Sequence, residues 1–156
     1  MVSFEPAEPD DAPGLKRTLA AAFEGASVED FGVEGVLPPG GADGSMVDEA
    51  FEGQTMYAAR DGGAVVGGII VEPREGGEMY LQTLWVDPGR QRGGVGSRAL
   101  GFLEDEHSDA TAWTLETPKR SERNRRFYEQ HGYEVGAEEA VEGADVVLLT
   151  YRKEPA

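Results

Sequence analysis

The chain is 156 residues long, carries 30 acidic against 14 basic side chains for a formal net charge of −16, and has no cysteine. That length suffices for one hydrophobic core, so a single domain over 1–156 is expected. The missing cysteines exclude disulfides, thiolate metal sites and cysteine nucleophiles, and the acidity argues against a nucleic-acid partner, which would need a basic footprint.

His107 and His131 are the only histidines, so no metal site is expected. No apolar run reaches the length of about 18 residues that a membrane span requires. The opening residues Met1-Val2-Ser3-Phe4-Glu5-Pro6 show no signal-peptide pattern, and the expected setting is cytoplasmic. Only Lys16, Lys119 and Lys153 are lysines. An acidic, lysine-poor surface resembles halophilic proteins, in which multimolar salt screens self-repulsion; an acidic face that attracts a cationic substrate is the alternative.

In chain order, Val2 to Glu5 reads as a short strand. Pro9-Asp10-Asp11 opens a helix through Leu15, Leu19 and Phe23, with acidic residues at its positive end. Gly32 to Ser45 is rich in Gly and Pro and reads as a long loop, a usual place for substrate contact. Met46 to Gly53 forms a helical turn or two. Thr55–Arg60 and Gly63–Glu72 are strands joined by a hairpin signal at Asp61-Gly62. Glu78 to Val86 is a third strand of that meander. A helix over Gly94–Glu106, a strand over Thr111–Glu116 and a helix over Ser121–His131 follow, the last ended by Gly132 at the position that residue favours. Tyr133–Val135 and Val146–Tyr151 close the chain as strands. This order implies a mixed α/β fold.

The segment Trp85-Val86-Asp87-Pro88-Gly89-Arg90-Gln91-Arg92-Gly93-Gly94-Val95-Gly96-Ser97 carries the clearest chemistry. Clustered glycines let backbone N–H groups point into one concavity. The helix start behind them adds unpaired donors and a positive dipole end, so the segment is suited to a phosphate or pyrophosphate. Arg90, Arg92 and Arg98 supply mobile charge. Between Trp85 and Gln130 eight basic side chains balance eight acidic ones, so the whole −16 lies elsewhere, as expected if this part of the chain faces a polyanion.

Val86-x-Pro88-x-x-Gln91-x-x-Gly94-x-Gly96, between a strand and a helix, resembles the acetyl-CoA signature of the GNAT N-acetyltransferase superfamily. Asn124-Arg-Arg-Phe127-Tyr128-Glu-Gln-His-Gly132-Tyr133 resembles the second signature of the same family. The resemblance covers nearly the whole chain. It implies a mixed, mostly antiparallel sheet of six to seven strands, with a splayed central strand pair and helices on both faces. It also implies that Gln91, Arg92, Gly93, Gly94, Val95, Gly96 and Ser97 hold the pyrophosphate of acetyl-CoA, bound as co-substrate. The main chain of Leu84, Trp85 and Val86 would pair with the pantetheine arm, and Asn124 (or Ser121, on the same helix face) would contact it. Tyr128 would protonate the departing thiolate. The acceptor would be a small-molecule or peptide amine, attacking directly without an acyl-enzyme. Homodimers are common in the family.

The remaining group is a base for the attacking amine. Alternation in the third strand puts Glu78, Tyr80, Gln82 and Leu84 on one face, and Glu78 is the candidate base; a solvated strand-start carboxylate is the plain alternative. Phe127 and Tyr133 read as core. Arg123, Arg125 and Arg126 read as a solvated helix face, and His131 as a neutraliser of the helix C-terminus. Two rival functions remain. Gly94-x-Gly96-x-x-Ala99 with Glu116 about 20 residues on fits a dinucleotide fingerprint formally, a reading that extends to S-adenosylmethionine enzymes. A non-catalytic acyl-CoA sensor is the other.

Overall fold

The computed structural model describes residues 2–31, 44–90, 94–140 and 147–154. Seven strands form one sheet: β1 (Val2–Pro6), β2 (Thr55–Asp61), β3 (Ala64–Pro73), β4 (Met79–Val86), β5 (Trp113–Pro118), β6 (Glu134–Ala140) and β7 (Val147–Lys153). Their spatial order is β1-β2-β3-β4-β5-β7-β6, and every neighbouring pair is antiparallel except β4 and β5. The helices are α1 (Ala12–Phe31), α2 (Ser45–Gly53), α3 (Val95–Glu106) and α4 (Glu122–Gln130). No helix among the described residues is long and apolar enough to cross a membrane.

Strand alternation divides the core into two layers. On one face Leu15, Leu19 and Ala22 of α1 and Met46, Val47 and Ala50 of α2 cover Met56, Ala58, Ile70 and Trp85. The Trp85 indole N–H donates to the buried Thr18 hydroxyl at 2.9 Å. On the other face Ala99, Leu100 and Leu103 of α3 cover Tyr57, Ile69, Val71, Met79, Leu81, Trp113, Leu115, Leu149 and Tyr151, with Phe127 and Tyr128 of α4 at the margin. Each Leu or Ile sealed this way contributes about 1.5–3 kcal/mol over leaving it exposed.

Three local expectations are corrected. The β2–β3 hairpin turns on Gly62 and Gly63, both at positive φ (61° and 90°), one residue later than the Asp-Gly signal; two successive left-handed positions match the twist of the flanking strands. β6 runs over seven residues, all exposed, which removes the alternation by which a strand is recognised. The expected shared face of Glu78, Tyr80, Gln82 and Leu84 is broken. Ile70 pairs with Thr83, but Val71 pairs with Leu81; two residues of β4 thus span one step of β3, and Gln82 is the extra one. Leu84 therefore changes sides and packs with Leu81 toward α3, away from Tyr80 and Gln82.

Candidate active site

β4 is a strand of two different edges. Along β3 it is paired from Met79 to Val86. Along β5 only Met79↔Trp113 and Tyr80↔Thr114 are in register. Beyond them the two strands part, and among the described residues β5 from Leu115 to Pro118 pairs only with β7. The expected splay is present. The main chain of Leu84 and Trp85 lies on its open side, while the Trp85 side chain is buried on the opposite face from Leu84. An unpaired strand edge inside a sheet presents free N–H and C=O groups to any extended ligand.

α3 packs over the same face as Leu84. Gly94 is its N-cap at φ 78°, in the left-handed region that favours glycine. Val95, Gly96 and Ser97 form the first turn, whose N–H groups have no partner within the helix. The Val95 side chain is core, so only its main chain faces outward. A Cβ on Gly96 would lie 3.0 Å from the Phe127 ring, so this glycine admits α4 as well as any ligand. The Ser97 hydroxyl is within 3.0 Å of His131 Nε2. Gln91, Arg92 and Gly93 lie outside the described residues. Arg90 does not join the cradle: its guanidinium pairs with Asp61 at the β2–β3 hairpin, and holds that carboxyl below the usual aspartate range.

α4 follows β5 and packs Phe127 and Tyr128 at the margin of the α3-side core. Its N-cap Ser121 is buried, Asn124 is half-buried, and both share a face with Tyr128 as the i, i+3, i+7 spacing requires. The Tyr128 ring packs edge-on against Phe127 and Tyr133, at centroid distances of 5.1 and 5.6 Å. Its hydroxyl makes no hydrogen bond among the described residues, and burial pushes it well above the ordinary tyrosine range. Such a phenol holds its proton until an anion forms beside it. Of the arginines read as a solvated face, Arg125 is instead turned inward, donating to the Lys119 carbonyl at 3.2 Å and the Tyr151 hydroxyl at 3.4 Å. Gly132 follows the helix at φ 90°, as expected.

The two carboxylates near β4 differ sharply. Glu78 lies just before the strand, at its closed end, and accepts from Arg152 Nη1 at 2.6 Å. Glu116 lies on the part of β5 that has left β4. It points to the α1–α2 face, since its neighbours Leu115 and Thr117 are buried and Trp113 and Leu115 belong to the other layer. The Tyr80 hydroxyl donates to it at 3.0 Å, and no cation pairs with it among the described residues. Burial, then Glu116, raises the Tyr80 hydroxyl to about 12. On the same face Gln54 donates to both Glu72, at 2.6 Å, and the Gln82 side chain, and the Arg74 guanidinium sits 4.2 Å over the Tyr80 ring. The sequence singled out Glu116 only as the acidic residue of a formal dinucleotide fingerprint; its parity with Tyr80 across the parallel pair was the available signal.

The dinucleotide reading fits this geometry poorly. Its glycine should follow the strand directly, yet β4 ends at Val86 and α3 begins after Gly94. Glu116 also faces away from the layer that holds α3. No group of three or more metal-binding side chains is gathered among the described residues.

A family model described as an acetyltransferase (GNAT) domain matches residues 52–135, more than half of the chain. A search of curated proteins finds no significant sequence match. Among solved structures, a Desulfovibrio desulfuricans protein assigned to the GNAT family of acetyltransferases superposes with a TM-score of 0.79 at 24% identity, over 99% of both chains. The ribosomal-protein alanine N-acetyltransferase of Escherichia coli gives 0.75 at 16% identity, over 99% of this chain and 94% of that one. The PaiA N-acetyltransferase of Thermoplasma acidophilum, in complex with coenzyme A, gives 0.74 at 13% identity, over 99% of both. Identities this low establish a shared fold.

Proposed function

The chain belongs to the GNAT family of acetyltransferases, and from that premise we propose that it moves the acetyl group of acetyl-CoA to an amine by direct attack in a ternary complex. The observation that carries this reading is the parting of β4 from β5 beyond Tyr80, ahead of the glycine-capped start of α3 in the chain. An extended pantetheine fits an unpaired strand edge, and a pyrophosphate fits unpaired helix N–H groups. The coenzyme A complex of the Thermoplasma acidophilum protein supports the assignment. In this reading Leu84, Trp85 and Val86 hold the pantetheine through main chain, Gly94 to Ser97 hold the pyrophosphate together with Gln91, Arg92 and Gly93, and Asn124 borders the arm.

Acetyl-CoA supplies a thioester carbonyl open to attack. Glu116, directly or through a water, takes the proton of the attacking amine on the α1–α2 side of the splay. The carbon–nitrogen bond forms as the carbonyl oxygen gains charge, and the Gln82 amide, displaced from the β3 ladder by the bulge, is the candidate donor to it. The carbon–sulfur bond then breaks, and Tyr128 gives its proton to the thiolate on the α3–α4 side. Acid and base thus work from opposite faces of one gap. Glu78, engaged by Arg152, is the alternative base. The acidic surroundings of Glu72 and Glu116 suit an acceptor that arrives as a protonated small-molecule or peptide amine, which gives one proton to water before attack and the next to Glu116 as the bond forms. The net charge of −16 suits a salt-rich cytoplasm, and a homodimer is compatible with the family.

The test is stabilisation by acetyl-CoA in multimolar KCl, followed by CoA release over a panel of amines. A ligand at 100 times its Kd stabilises by about 2.7 kcal/mol. Acetyl-CoA is expected to stabilise the protein where NADH and S-adenosylmethionine do not. No stabilisation of folded protein would overturn the assignment of the cradle; tight binding without release on any amine would favour the acyl-CoA sensor.

A further inference from the structure

His131 follows the last residue of α4 and was expected only to neutralise that helix end. Its ring does more. Nδ1 lies 2.7 Å from the Phe127 carbonyl. A carbonyl only accepts, so Nδ1 carries the hydrogen. In the neutral ring Nε2 is then the acceptor, and the group within reach is the Ser97 hydroxyl at 3.0 Å. The Phe127 ring, 4.6 Å from the imidazole by centroids, holds it from the side. The same Phe127 ring abuts Gly96. Two consecutive residues of the first turn of α3 are therefore seated on one short segment, Phe127 to His131 at the C-terminal end of α4, which also contains Tyr128. The Ser97 hydroxyl hydrogen is engaged by His131 and its side chain turned toward α4, so what this turn presents outward is backbone.

We propose that His131 is a positioning residue: acting through Ser97, it fixes the unpaired N–H groups at the start of α3 in the orientation that receives the acetyl-CoA pyrophosphate, in register with Tyr128 on the adjoining helix. This rests on the reading of that turn as the pyrophosphate site. His131 touches neither the thioester nor the amine, so its loss acts on acetyl-CoA affinity and leaves the chemical step largely intact.

The test compares His131→Asn, Ser97→Ala and the double variant in the full-length protein. The metrics are kcat and KM for acetyl-CoA, Kd for CoA by calorimetry, and thermal midpoint. Asn retains a donor near the Phe127 carbonyl but is too short to reach Ser97. The loss of one hydrogen bond is expected to raise KM and Kd about threefold to tenfold in each single variant, with kcat within about twofold and the midpoint of His131→Asn near that of the parent. Because both residues belong to one bond, the double variant is expected to be no weaker than the worse single. An unchanged KM in His131→Asn, or losses that multiply in the double variant, would overturn the proposal while the parent still binds acetyl-CoA. A parent that does not bind acetyl-CoA would overturn the functional reading itself, and this inference with it.

Discussion

The two edges of β4 meet the same residues and do opposite things. Against β3 the strand is laddered along its whole length, with the bulge at Gln82 absorbed in passing. Against β5 it holds for two residues and lets go. The first edge is closed by close approach: a Cβ on Gly68 would lie 2.3 Å from the Trp85 ring, and one on Gly67 would lie 2.3 Å from the Trp85 carbonyl oxygen. Among the described residues the second edge is left unpaired beyond Tyr80, on the stretch that carries Leu84 and across from the part of β5 that carries Glu116. Changes on the β3 edge should therefore act on stability, whereas changes around the β5 edge should act on turnover.

The largest expected effect is kinetic. Tyr128→Phe should lower kcat by about 10²–10⁴, the worth of a placed acid, with acetyl-CoA affinity nearly intact. Burial raises this phenol above its ordinary value, so it is protonated at every pH below that value. The loss should then be the same factor at pH 7 and pH 9, and a loss that vanishes at the higher pH would remove Tyr128 as the acid. Glu116→Gln comes next, with a fall in kcat of about a hundredfold; the same substitution at Glu78, where it breaks the ion pair with Arg152, decides between the two carboxylates.

Gly68→Ala sharpens the comparison from the other edge. Overpacking against Trp85 should cost about 1–3 kcal/mol, or some 2–4 °C of thermal midpoint for each kcal/mol. An unaltered midpoint would mean that the β3 edge is looser than its geometry implies. The smallest effect is the most direct. Amide hydrogens on the open side of Leu81 to Trp85 should exchange faster than those facing β3, and acetyl-CoA at 100 times its Kd should slow them by up to about a hundredfold. Equal protection on both sides in the free protein would contradict the open edge.

Much of this was written in local patterns. The glycine segment before α3, the Asn124 to Tyr133 segment and the meander are short-range signals, and each led to the right element. What escaped depended on neighbours far along the chain. Leu81-Gln82-Thr83-Leu84 reads as plain alternation; only pairing with Ile70 and Val71 reveals the extra residue. Arg90 reads as part of an anion cradle, because its partner Asp61 belongs to a hairpin 29 residues earlier. Glu116 has no motif of its own and gains meaning from facing Tyr80. β6, exposed on both faces, has no periodicity to detect.

The extra residue in β4 has a consequence for how such a site is kept open. A parallel pair begun at Met79 and Tyr80 would ordinarily continue like a zip, since each added rung satisfies two more backbone groups. The irregularity at Gln82 stands two residues beyond the last rung and acts as the stop. Deleting that single residue restores the simple alternation of β4. It should let the zip run on, giving a protein that melts higher and has nowhere left to put its substrate, a local instance of activity kept at the expense of stability.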